Sequence, residues 1–210
     1  MSLSPEATLG AAQPGACMPT LESMAIEMPQ VSNHPNRVLF EGVLTLVDAA
    51  SDRAPSGSRG HRVLLTGKAT EEAIPSLLGM AVDYTPSLDG HDARAKIGVI
   101  TSAELQPISG SQVYERAGKR LRLHIREQQL KVKGYLFGKD FPEVIHQMRA
   151  KGEGELGMSY EIADVHVADV NAPIWAVTKF TFTGAAVLLR AKAAYGRTWV
   201  EVAGKPPLHR

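Results

Sequence analysis

Cysteine is nearly missing from this 210-residue chain. Cys17 stands alone, which excludes an intramolecular disulfide framework and any cysteine-built structural zinc cluster, and fits a reducing compartment. An excess of either charge is missing as well: 23 Lys and Arg face 22 Asp and Glu, for a net charge of +1. No global field therefore recruits nucleic acid or an anionic membrane. The chain has no apolar run of about 18 residues, and its opening MSLSPEATLGAAQPGACMP lacks a basic stretch followed by a sustained apolar one. A soluble, non-secreted protein is expected. There is no internal repeat. GEGELG at 152–157 is not followed by Gly-Lys-Ser/Thr, and its two glutamates would repel phosphate. Beyond the adjacent His91-Asp92, no His/Asp/Glu group has metal-ligand spacing. Neither a metal nor another cofactor is expected.

What is present is enough for one ordinary core. With 44% apolar residues, a chain of this size buries roughly 70% of its unfolded surface. Residues 1–36, rich in Pro, Ser, Ala, Gly and Met without a lasting period, read as a flexible N-terminal arm, and 37–210 as the folded domain. RVLFEGVLTLV (37–47) and HRVLLTG (61–67) read as strands around a Ser/Gly/Pro loop. TEEAIPSLLG (70–79) predicts a short helix capped by Thr70 and limited by Pro75. AKIGVITSAEL (95–105) predicts another strand. Leu121, Leu123 and Ile125 alternate with Arg120, Arg122, His124 and Arg126, and Leu130, Val132 and Leu136 with Lys131, Lys133 and Tyr135. This pattern predicts a hairpin turning near Gln128 with a solvated basic face. A helix follows, with Asp140 as cap, Glu143 completing a capping box, and an apolar stripe of Phe141, Val144, Ile145 and Met148. MSYEIADVHV and IWAVTKFTFTGAAVLL supply late strands. The fold class is α+β, mainly β.

Ser159 stands where that helix, the glycine-rich turn and a strand meet, a placement that can present a hydroxyl beside free backbone N–H groups. Gly157-Met158-Ser159-Tyr160-Glu161 supplies half of a G-x-S-x-G elbow but runs from turn to strand, which disfavours an α/β-hydrolase. A serine needs a base, and histidine, with an ordinary pKa of about 6.5, is the usual one. Of seven histidines, His34, His61, His124 and His146 read as solvated, and His209 is terminal. His166 on a regular strand points away from Ser159, so only a bulge would bring it round. His91, in DGHD just before a strand, is left, and a plain surface loop histidine is its other reading.

GHDARAKIG (90–98) resembles the segment around the catalytic histidine of the tailed-phage prohead (capsid maturation) serine proteases, and GELGMSYEI (154–162) resembles their nucleophile segment. The order is shared: the histidine precedes a strand, a hairpin and a helix, and the serine follows that helix after a short glycine-containing turn. The resemblance spans Val38 to Leu189. It implies Ser159 as nucleophile and His91 as general base of a serine endopeptidase. It further implies a β-barrel with surrounding helices, similar to the herpesvirus assemblins. The implied substrates are phage scaffold and major capsid proteins, cleaved in the host cytoplasm within assembling proheads. A homo-oligomer is compatible with this, whereas neither a membrane nor nucleic acid is an expected partner. In one respect the chain departs from the family. Where many members carry an acid in a late strand, VTKFTFTGAA places Lys179. The third catalytic group stays open among Glu161, Asp89 and Asp92. Lys179 also motivates two alternatives: a Ser-Lys pair, and a noncatalytic capsid-assembly or scaffold module retaining the protease fold.

Overall fold

Long runs of β-branched and aliphatic residues make strands, and short helices cover the spaces those strands leave. The computed structural model describes residues 23–25, 34–108, 112–116, 119–123 and 127–204. In chain order these form β1 (Ser23–Ala25), β2 (Arg37–Val47), β3 (Arg62–Leu65), α1 (Gly67–Leu77), β4 (Ala81–Asp83), β5 (Lys96–Pro107), β6 (Gln112–Arg116), β7 (Lys119–Leu123), β8 (Gln128–Phe137), α2 (Pro142–Ala150), β9 (Leu156–Val167), β10 (Ile174–Leu189) and β11 (Trp199–Val202). The protein is α+β and mainly β. No helix among the described residues is long and apolar enough to cross a membrane.

Nine strands form one mixed sheet in the order β11-β2-β8-β5-β4-β10-β3, with β1 added to β5 and β9 added to β10. The sheet curls until β9 packs on β2 and β11, where the Met158 N–H donates to Thr198 Oγ1 at 3.4 Å. No ladder joins β9 to either strand, so the sheet stays open and the barrel is not closed. Inside the curl lie Phe40, Leu44, Ile74, Leu77, Ile97, Ile100, Leu130, Leu136, Met148 and Phe182, all buried. Truncating any one of these large apolar residues to alanine costs about 2–5 kcal/mol, because the surroundings refill the space only in part.

Three local expectations change. First, α1 starts earlier. Thr66, not Thr70, has the extended backbone of an N-cap, and its Oγ1 accepts from the Ala69 N–H. Thr70 is buried inside the helix and donates to the Thr66 carbonyl. Second, α2 lacks the capping box. Pro142 sets the first helical position, so Phe141 becomes the cap residue without a side-chain bond, and Asp140 instead accepts from Asn36 Nδ2 at 2.8 Å. Third, β7 pairs with β6, not with β8. Both sides of β8 are taken, one by β2 and one by β5, which makes it a central strand. His124 and Arg126 lie outside the described residues. Of the segment read as an arm, Ser23–Ala25 pair antiparallel with Ser102–Glu104 on β5.

β10 positions the site. One edge of this 16-residue strand takes β9; the other takes β3 near its start and β4 near its end. Between β3 and β4, α1 covers that edge, and Ser76 Oγ accepts from the Phe182 N–H at 2.9 Å.

Candidate functional site

The floor of the site is a row across three strands. Asp83 on β4 is in register with Ala186 on β10, and Ala186 with Ser159 on β9. Two residues along β9, Glu161 is opposite Gly184. Alternation turns Met158 and Tyr160 toward the core and leaves Ser159 and Glu161 on the other face. Gly184 and Ala186 keep the floor low between the acids. A β-carbon at Gly184 would fall 2.6 Å from Glu161 Oε2, so the absent side chain is what lets the glutamate carboxylate lie across β10 toward β4. Burial pushes the Tyr160 phenol well above its ordinary range and Tyr195 up to about 12, so neither serves as a base near neutral pH.

His91 is lowered onto this floor by the loop joining β4 to β5. Leu88 anchors the loop: it is fully buried, has a left-handed backbone (φ 53), and its carbonyl accepts from the Leu189 N–H at the end of β10. Thr85 braces the turn, donating its hydroxyl to Asp89 Oδ1 at 2.8 Å and accepting the Asp89 N–H at 3.0 Å. Three residues past Leu88, His91 Nδ1 comes within 3.3 Å of Glu161 Oε1 and 3.5 Å of Asp83 Oδ1, with its side chain 26% exposed. Asp83 is 0% exposed; its Oδ2 takes the Lys96 ammonium at 2.9 Å. Neither His91 Nδ1 nor Asp83 Oδ1 has an aligned hydrogen-bond partner. These close approaches are electrostatic contacts and not formed hydrogen bonds.

Ser159 and His91 line the same cavity, of about 1350 Å³, together with Asp89, Tyr160 and Glu161. Of the open candidates for a third group, only Glu161 touches the imidazole. Asp89 is exposed, and hydrogen bonds from Ser87 and then Thr85 hold its carboxyl below the usual range. Asp92 is held low in the same way by the backbone and then the side chain of Arg94. Lys179 is exposed on β10, seven residues before Ala186, roughly 20 Å along the strand from the Ser159 row. A Ser-Lys pair is therefore not built here. β9 does carry a bulge, at Asp164 (φ 53), but His166 beyond it pairs opposite Lys179 and stays exposed.

Sequence reasoning misses Asp83 and Lys96. The only local signal is an acid closing the short apolar strand Ala81–Asp83, with Lys96 opening the partner strand across from it. It misses also that Asp83, His91 and Glu161, which have no ligand spacing along the chain, place donor atoms within 4.8 Å of one another. The arrangement gathers a hydroxyl, an imidazole and two carboxylates at one cavity, one of the carboxylates being paired to a partly exposed lysine. That is a set able to move a proton, or to hold a cation. No family model, no curated protein and no solved structure matches the chain.

Proposed function

We propose that this chain is a serine endopeptidase of the tailed-phage prohead protease kind, with Ser159 as nucleophile and His91 as general base. Its substrates are scaffold and major capsid proteins, and its open curled sheet is a variant of the assemblin-like barrel. The observation that carries the reading is the flanking of His91 Nδ1 by Glu161 and Asp83 in the cavity that also holds Ser159. Carboxylates at Nδ1 favour the tautomer with its proton there, which leaves Nε2 as the acceptor. In the reaction, Nε2 takes the Ser159 hydroxyl proton as Oγ attacks the scissile carbonyl. The imidazolium so formed is stabilised by the two carboxylates, and it returns the proton to the leaving amine. Water, deprotonated by the same nitrogen, then releases the acyl group. Lys96 pairs with the far oxygen of the buried Asp83 and leaves its other oxygen facing His91.

Lys179, standing where many members of that family carry an acid, favours a second reading, a noncatalytic capsid-assembly or scaffold module on this fold. Labelling by a fluorophosphonate separates the two. The folded wild type is expected to label on Ser159, and Ser159→Ala to lose both the label and cleavage of the capsid substrate by several orders of magnitude while its thermal transition holds. A wild type that never labels, or a Ser159→Ala protein that still cleaves, overturns the peptidase reading.

A further inference from the structure

Two buried polar atoms at the site face each other without bonding. Asp83 is 0% exposed, and its Oδ1 has no hydrogen-bond partner although His91 Nδ1 is 3.5 Å away; that nitrogen also has none. Leaving a buried carboxylate oxygen unpaired costs about 1–3 kcal/mol, more where it is charged. The acid nearest to it, Glu161, adds a second negative charge instead of a donor. Lys96 balances only one of the two, from the far oxygen of Asp83. The groups facing this gap thus carry a net negative charge and aim three donor atoms into it.

We infer that Asp83, His91 and Glu161 form a zinc-binding site whose occupation takes His91 out of service as a base. Spacing supports it. Donors bound tetrahedrally at about 2.0–2.2 Å from one zinc lie about 3.4 Å apart, and His91 Nδ1 sits 3.3 Å from Glu161 Oε1 and 3.5 Å from Asp83 Oδ1. The contacts that are misaligned as hydrogen bonds are the right length for ligands sharing an ion. Donor type supports it as well. One imidazole nitrogen with two carboxylate oxygens suits zinc, whereas magnesium and calcium take all-oxygen shells. Three protein ligands leave the fourth position to water from the cavity.

The effect on activity rests on the peptidase reading; the binding does not. Zinc on Nδ1 displaces the proton from that nitrogen, and the neutral ring then carries its one proton on Nε2. A protonated Nε2 cannot take the hydrogen of Ser159, so the loaded protein is acylation-incompetent until the ion leaves.

Titration of the full chain with zinc, and with cobalt as a coloured substitute, tests the site. One zinc per chain is expected. Cobalt should give visible bands of a low-symmetry N/O site, which zinc bleaches. Glu161→Gln and His91→Ala should each weaken binding at least about tenfold, while Asp89→Asn leaves it unchanged. Circular dichroism of each variant verifies folding. Absence of saturable binding at sub-millimolar zinc, or binding indifferent to both ligand variants, overturns the site. Fluorophosphonate labelling with and without chelator separates the two ideas. Zinc binding without labelling under chelator removes the peptidase but keeps the site. Labelling that saturating zinc leaves untouched removes the switch.

Discussion

Asp89 and Asp92 flank His91 in the sequence, whereas Asp83 and Glu161 meet it in space. The first two belong to the exposed loop, and nearby donors occupy them: Thr85 and Ser87 on Asp89, Arg94 on Asp92. Their hydrogen-bonding capacity goes into shaping the turn. The second two arrive from separate strands, eight positions before the histidine and seventy after it, and the floor supplies them no backbone donor. They retain capacity to act on His91. An acid satisfied by its own loop holds the loop together; an acid delivered by sheet register has a lone pair left for chemistry.

Substituting Asp83 should open the widest gap between the two pairs. In Asp83→Asn the Lys96 ammonium loses its buried counter-charge. Breaking such a pair costs about 3–5 kcal/mol when both partners are buried. Lys96 is one-third exposed and can turn to water, so about 2–3 kcal/mol is expected, read in a urea melt together with a slower labelling of Ser159. A melt unchanged from wild type would move Asp83 into the same class as the loop acids. Gly184→Ala should separate position from stability. Its methyl would displace the Glu161 carboxylate, lowering the labelling rate about tenfold or more for a misplacement near 1 Å, with stability changed by about 1 kcal/mol or less. Equal labelling rates would show that Glu161 has no part in orienting His91.

The smallest effects belong to the loop. Asp89→Asn and Asp92→Asn should each melt close to wild type and label at nearly its rate. Both carboxyls are held below their ordinary 3.8, so their ionised form stabilises the fold above that pH and the contribution is lost as pH falls through the lower folded value. An acid titration of stability should therefore bring each wild-type and Asn pair together at low pH. A large loss of labelling in either variant would dissolve the distinction between loop and floor.

How far the chain could be read follows from where its information is stored. β2, β5, β9 and β10 lie where the apolar patterns place them, because a strand half or wholly buried records its environment in its own residues. α1 begins four residues ahead of the expected cap, since Thr66 and Thr70 are chemically alike and only backbone geometry separates them. The basic alternation of 120–133 does not say which strand is its partner, and β8 finds two neighbours elsewhere. Ser159 and His91 enter as candidates through motif resemblance, and Glu161 through sharing a strand face with Ser159. Asp83 is not nameable in this way: its place depends on pairing with Ala186, 103 positions later, and no local pattern encodes a register over that distance.

The row from Asp83 through Ala186 to Ser159 also has a meaning in time. Asp83, His91 and Ser159 are all synthesised before β10, yet β10 is the strand that sets the first beside the third. Its parallel pairings with β3 and β4 close loops of about a hundred residues, the kind of contact that forms late because ordering a long span precedes any gain from it. A nascent chain emerging at about 5–20 residues per second thus carries its serine, histidine and acids for seconds as separate, harmless side chains. The topology acts as a delay line: whatever chemistry the site performs cannot begin on the ribosome before the strand at 174–189 has been laid into the sheet.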